Sequence, residues 1–491
     1  MGLGSIVKRI RQIMRNDAGV SGDAQRIEQM VWIIFLKVYD AKESVWEFRE
    51  KNYKSIIPER LRWRNWAVDK KDGNALTGDA LLHLVNGELF PTLQNLEVDE
   101  STPPNKAIVK AVFEDNNKNY MKDGVLLRQV INVIDEIDFD EYEDRHAFGE
   151  IYESILKELQ SAGSAGEFYT PRADTDFIVQ MLAPKLGEHV ADFACGTGGF
   201  LTSTLKVLEP QVKSVKDRKL FNESVYGIEK KPLPYLLCVT NMLLHDIDAP
   251  RIYHGNSLER DVRSYKQSDK FDVIVMNPPY GGGEKDGVKM NFPADLRSSE
   301  TADLFMSVIM YRLKKGGRAA VIVPDGFMFG TEGAKAAIKQ KLLNEFNLHT
   351  IIRLPHSVFA PYTDITTNIL FFDNTEPTES TWIYRLDMPE GIKHFSKTKP
   401  MELKHFDAAV EWWNNRRPIQ VDGFDKAREF SAMEIRDGKY NLDLCGYPHT
   451  EEEIKPPLEL IEDYQRKRSE LNAKIDTVLS DIVKMIKEAQ G

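Results

Sequence analysis

Phe271-Asp272-Val273-Ile274-Val275-Met276-Asn277-Pro278-Pro279-Tyr280 is an apolar run that stops at a double proline, and Gly281-Gly282-Gly283 follows at once. Its length and β-branched content suit a strand buried on both faces, as in a parallel sheet. Prolines fix their own φ and restrict the residue before them. The turn therefore holds its polar groups at the carboxyl edge of the sheet, where open α/β proteins bind ligands. The Asn277 side-chain oxygen and the Pro278 carbonyl form a pair of acceptors there. An exocyclic amine on a nucleobase has two N–H groups to give such a pair. Tyr280 adds a flat ring on which a base swung out of a duplex can stack.

The amine nitrogen of adenine or cytosine is a poor nucleophile because its lone pair is delocalised into the ring. Two acceptors on its hydrogens favour a pyramidal nitrogen and localise that lone pair. No strong base is required, since the amine loses its proton after attack on a sulfonium methyl. Catalysis of this kind is mostly positioning and preorganised electrostatics. The competing structural reading of the motif is an ordinary proline turn after a strand.

At 491 residues the chain has room for about two to four domains. A content of 42% hydrophobic and 29% charged residues is that of a soluble globular protein. The early apolar run Met30 to Leu36 is too short to cross a bilayer, and no cleavable signal pattern precedes it, so a cytoplasmic, membrane-free protein is expected. Cys195, Cys238 and Cys445 have neither metal-ligand nor disulfide-framework spacing, and no metal site is expected. The net charge of −11 argues against a free-standing nucleic-acid binder, because phosphate contacts supply most non-specific affinity for DNA. A local basic stretch, Arg60-Leu61-Arg62-Trp63-Arg64, reads more simply as a solvated charged face. If DNA is the substrate, a partner supplies much of the grip.

Outward from the opening strand, short β-branched segments alternate with helical ones from about residue 170, as in a doubly wound parallel sheet. Strands are expected at 188–193, 224–228, 251–253, 271–276, 319–323, 349–354 and 367–372, with the order of the last ones left open. Residues 1–155 read as a helical domain, with apolar positions at helical spacing around 27–46 and 125–137. Residues 401–455 are a mixed extension. Beyond Pro456-Pro457, in the 456–491 segment, Ile461, Tyr464, Leu471, Ile475, Val478, Ile482 and Met485 recur at three- and four-residue steps, broken only by Arg468. This is an amphipathic helix wanting a partner, whether its own domain or another chain.

Three further segments suit a cofactor. Asp192-Phe193-Ala194-Cys195-Gly196-Thr197-Gly198-Gly199-Phe200 ends the first strand of the α/β unit, and its glycines let a ligand approach the backbone. It lacks the Lys-Ser or Lys-Thr of a phosphate-binding loop and the wider glycine spacing of a nicotinamide fingerprint. Glu229 ends the second strand, where a carboxylate can accept both hydroxyls of a ribose. Asn256 and Ser257, after the third strand, are placed to meet an adenine ring. Gly166-Glu167-Phe168-Tyr169-Thr170-Pro171 precedes a helix expected over 173–182. Thr170-Pro171 reads either as a helix cap with proline at the first turn or as part of a loop covering a cofactor.

Together these segments resemble the amino-methylating DNA methyltransferases, in which they stand in the same order. Glu300 to Met306, Leu313 to Pro324 and Thr366 to Phe372 extend the resemblance to the modification subunits of type I restriction-modification systems, over most of the chain. The resemblance implies an α/β Rossmann-like methyltransferase domain at 156–400, with a helical N-terminal domain and a C-terminal amphipathic helix. It implies N6-adenine methylation with S-adenosylmethionine as cofactor. Gly166 to Pro171, Asp192, Gly196 to Gly199, Glu229 and Asn256 would line the cofactor, and Asn277, Pro278, Pro279 and Tyr280 would hold the flipped adenine. It further implies a separate specificity subunit held by the tail and flanked by two copies of this chain. Double-stranded DNA is then the substrate, and a restriction or translocase subunit a further partner. Phe193 departs from the family pattern, which has proline there. Cytosine-N4 methylation, glutamine methylation and a non-enzymatic scaffold are the competing readings.

Overall fold

The computed structural model describes residues 3–71, 73–99, 101–114, 118–137, 139, 170–360, 363–396, 398–447 and 457–490. Two compact units are distinguished, Met1–Gly446 and Tyr447–Gly491.

The strands of the first unit are β1 Val190–Asp192, β2 Val225–Glu229, β3 Arg251–His254, β4 Phe271–Met276, β5 Leu313–Pro324, β6 Asn347–Arg353, β7 Thr367–Asp373, β8 Ser380–Arg385, β9 Ile419–Val421 and β10 Phe424–Ser431. They form one sheet in the order β3-β2-β1-β4-β5-β7-β6-β8-β10-β9. The first five in that order run parallel, β7 is antiparallel to both β5 and β6, and β8 returns parallel to β6. The strand order reverses between β1 and β4, which opens a crevice at their carboxyl ends. Asp192 and Asn277 stand at that crevice.

Burial on both faces explains why β4 is apolar at every position but Asp272, which pairs with Lys314 at 2.8 Å. Ile274 and Met276 join the core on one face with Leu304, Ile309 and Val321. Val273 and Val275 join the other with Phe177, Ala320 and Phe406. Neighbouring side chains point to opposite faces, so a strand covered on both faces is apolar wherever it is buried.

The amino-terminal region is helical, as expected, with long helices at Gly22–Arg49, Pro104–Glu114 and Gly124–Asp135. Asp123 starts the last of these by accepting from the backbone N–H groups of Val125 and Leu126 at 2.8 and 3.0 Å. The helices share a core with Leu201, Leu205, Leu237 and Met242. Lys42 adds an ion pair to Asp246 at 2.5 Å, and Arg49 one to Asp248 at 3.2 Å. The Arg60–Arg64 stretch is a solvated face only in part, since Arg60 is exposed, Arg64 half-buried and Arg62 buried. Arg62 is buried among Glu43, Glu47 and Glu59, Arg64 pairs with Asp40 and Glu47, and Arg60 pairs with Glu88.

The second unit contains the helix Pro457–Gln490. Ile461, Tyr464, Leu471, Ile475, Val478 and Ile482 are each at least 45% exposed. No described helix is long and apolar enough to cross a membrane.

Candidate active site

After Asp192 the chain turns through residues 193–198 into the helix Gly199–Leu208. Gly196 and Gly198 have φ of 53° and 86°, a left-handed conformation that only glycine adopts without strain. A Cβ on Gly198 would lie 2.9 Å from Cys238 Sγ, whereas one on Gly196 would meet nothing within 4 Å. Gly198 is thus a packing glycine, and Gly196 leaves its backbone open to a ligand. Glu229 braces the loop: its Oε2 accepts the Gly196 N–H at 2.9 Å and its Oε1 the Lys231 N–H at 2.8 Å. Each carboxylate oxygen keeps further lone-pair capacity for a hydroxyl. Burial raises the Glu229 pKa, against the pull of those N–H groups. Burial also pushes Asp192 up to about 8, with the Glu229 charge adding to it and the Ala194 N–H opposing. Asn256 Oδ1 accepts from Leu258 N–H at 3.1 Å, and Ser257 Oγ donates to the Phe193 carbonyl at 2.6 Å, so both side chains shape the loop beside Gly196.

Phe193 has a physical reason to stand where the family pattern has proline. Its ring faces the Arg312 guanidinium at 4.4 Å, and Tyr265, Phe271 and Tyr226 lie at 4.7, 4.9 and 5.4 Å from the same group. A cation enclosed by aromatic faces is stabilised more strongly than an exposed one. Phe193 thus forms one wall of an aromatic cage around Arg312.

At the turn after β4, Asn277 Nδ2 donates to Thr170 Oγ1 at 3.0 Å, and the Tyr280 hydroxyl donates to Asn277 Oδ1. The Tyr280 ring is 6% exposed and packs with Phe177, Phe200 and Val275. Burial, with Asp174 adding to it, lifts its hydroxyl far above the usual phenol range. Pro278 is buried, and Pro279 is partly exposed. Thr170 does not cap a helix: the helix is Arg172–Leu182, its N-cap is Pro171, and no side chain caps it. Arg172 ties that helix to the glycine loop by donating to the Gly199 carbonyl at 2.8 Å. Gly166, Glu167, Phe168 and Tyr169 lie outside the described residues.

Two features were not legible in the sequence. Asp174, in the first turn of Arg172–Leu182, is fully buried with no side-chain partner among the described residues, and desolvation raises its pKa well above the ordinary value against the pull of its own backbone N–H. Read from sequence, an aspartate there is only a favourable charge at a helix start. The loop 281–299 is also anchored. Phe292 is buried, Asn291 Nδ2 donates to the carbonyls of Leu258 and Glu259, and Glu284 pairs with Lys230 at 2.9 Å. The Lys230 pair runs from the residue after Glu229 to the glycine-rich exit of the Asn277–Tyr280 turn.

The family model described as N-6 DNA methylase matches residues 143–455, and that of the HsdM N-terminal domain matches residues 3–134. The chain is 48% identical to the type I restriction enzyme EcoEI methylase subunit of Escherichia coli, over 96% of each chain. A crystal structure described as the modification subunit of a type I restriction enzyme from Vibrio vulnificus YJ016 is similar, with a TM-score of 0.79 and 41% identity over 91% of this chain and 96% of the other. A structure from work on complex assembly and conformational transition of a type I restriction-modification system gives a TM-score of 0.80 and 33% identity, covering 98% of both chains. The chain belongs to the methylase subunits of type I restriction-modification systems and is an adenine-specific member of the N-6 DNA methylase family.

Proposed function

We propose that this chain transfers a methyl group from S-adenosylmethionine to N6 of an adenine flipped out of double-stranded DNA, at a sequence chosen by a separate specificity subunit. The observation that carries this reading is the placement of the Asn277 amide at the β1/β4 crevice, beside a glycine loop braced by Glu229. The residues fit the cofactor: Gly196 leaves backbone open to approach, and Glu229 can accept ribose hydroxyls. Bound there, S-adenosylmethionine supplies a sulfonium methyl.

The chain does the rest by placement. Asn277 Oδ1 and the Pro278 carbonyl accept the two amine hydrogens, and an incoming amine displaces the Tyr280 hydroxyl from Asn277. Released, the Tyr280 ring supports the base, while Pro279 keeps the turn rigid. The amine proton leaves after transfer, so none of these groups acts as a strong base. Water exclusion by the loop 281–299 strengthens each of these interactions.

The Pro457–Gln490 helix docks on helices of the specificity subunit, with two copies of this chain per specificity subunit. A restriction or translocase subunit completes the system, which acts on DNA in the cytoplasm. The helical region 1–155 and the extension 401–455 frame the methyltransferase region 156–400. The test is methyl transfer to duplex DNA by the full chain with its specificity subunit, followed by nucleoside mass spectrometry. N6-methyladenine is the expected product. N4-methylcytosine would reassign the base, and no methylated nucleoside would favour the scaffold reading.

A further inference from the structure

We infer that Thr170 is a positioning residue for methyl transfer, whose hydroxyl fixes which end of the Asn277 amide faces the target amine. The inference rests on the methyl-transfer reading above. The two ends of an amide are nearly the same shape and opposite in chemistry: the oxygen accepts and the nitrogen donates. An Asn277 flipped by 180° would set N–H against the N–H of the amine, and the acceptor pair would be lost. Rotation about one side-chain bond is all that separates the two states.

Two contacts hold the orientation in the structure. The Tyr280 hydroxyl donates to Oδ1, and Thr170 Oγ1 takes Nδ2–H at 3.0 Å. They are not equivalent during the reaction. The amine needs Oδ1, so it displaces the Tyr280 hydroxyl, and among the described residues only the Thr170 contact then remains to hold the amide. The threonine is well placed to hold it. Its backbone is restricted by Pro171, and the helix that follows is tied to the Gly199 carbonyl through Arg172. The hydroxyl has no competing duty as a cap, because no side chain caps the helix Arg172–Leu182. It also bridges 107 residues of chain, joining the segment before that helix to the catalytic turn.

The experiment measures steady-state methylation by the full chain with its specificity subunit, alongside calorimetric titration with S-adenosylmethionine. Thr170→Val should lower kcat at saturating S-adenosylmethionine by at least about tenfold, a loss separate from any change in cofactor Kd at a segment that also lines the cofactor in the reading above. Thr170→Ser should restore most of kcat. Asn277→Asp supplies a decisive background, because a carboxylate has two equivalent oxygens and no wrong way round. There Thr170→Val should cost less than about twofold. Equal losses for the Ser and Val variants would overturn the inference, as would a Val effect confined to cofactor Kd or the same Val penalty in both backgrounds. Should Asn277→Asp prove too slow to assay, the Ser and Val contrast alone decides. Failure of the unsubstituted complex to methylate DNA would instead refute the underlying reading.

Discussion

Asn277 sits between two hydroxyls, and its role can be separated from that of the cofactor loop because the nearest bonds it makes are to Thr170 and Tyr280 rather than to Gly196 or Glu229. Asn277→Ala should reduce methylation by roughly 10² or more, the usual cost of losing one preorganised hydrogen-bonding group. The rise in melting temperature on adding S-adenosylmethionine should survive the change. Near-normal turnover in this variant would remove Asn277 from the mechanism. Asp192 makes a second prediction at this scale. Its folded pKa of about 8 lies far above the value of about 4 expected in the unfolded chain. Between those values the folded protein holds a proton that the unfolded chain has released, so stability falls as pH rises through the window, by up to about 1.4 kcal/mol per unit. Melting curves of the wild type and Asp192→Asn from pH 5 to pH 8 should show a shallower decline in the variant. Parallel declines would mean that Asp192 is ionised in the fold. Asn277 is legible in the sequence, and the state of Asp192 is not. The glycines and the Asn-Pro-Pro-Tyr turn announce themselves locally, whereas burial of Asp192 and Asp174 and the Thr170–Asn277 bond depend on segments far apart in the chain.

At the scale of elements, legibility followed burial. β4 was read to its observed limits because both faces are covered and every position but Asp272 is apolar. The other strands from β1 to β7 were also found, including the partly exposed edge strand β3; the largest error was β5, which begins at Leu313 rather than Ala319. β8, β9 and β10 were missed. In β10 only Ala427 and Phe430 are buried, so no apolar run or strict alternation marks it. β9 is a three-residue edge strand on β10, with little to bury. The tail was read correctly as a helix because its apolar residues repeat at coiled-coil spacing, and these side chains are exposed. Deleting residues 458–491 should abolish co-purification with the specificity subunit, since exposed apolar side chains at that spacing gain most by docking on another helix. The truncated chain should retain its cofactor-induced thermal shift, because the glycine loop and Glu229 belong to the other unit. A specificity complex that survives the deletion would place the interface elsewhere.

For the whole molecule, charge and architecture point the same way. A net charge of −11, with the Arg60–Arg64 guanidinium groups already paired to carboxylates, leaves little basic surface there for phosphates. The helical region and the sheet share one core, so it is built into the methyltransferase fold rather than tethered as a separate DNA-reading module. On the proposed function, sequence selection comes from a partner, and methylation should depend on it. The most direct measurement is modified-base sequencing of DNA from cells lacking other methyltransferases, expressing this chain alone or together with its specificity subunit. The account predicts N6-methyladenine at a split recognition sequence in the paired strain and none in the other. Site-specific methylation by the chain alone, or none in either strain, would contradict it.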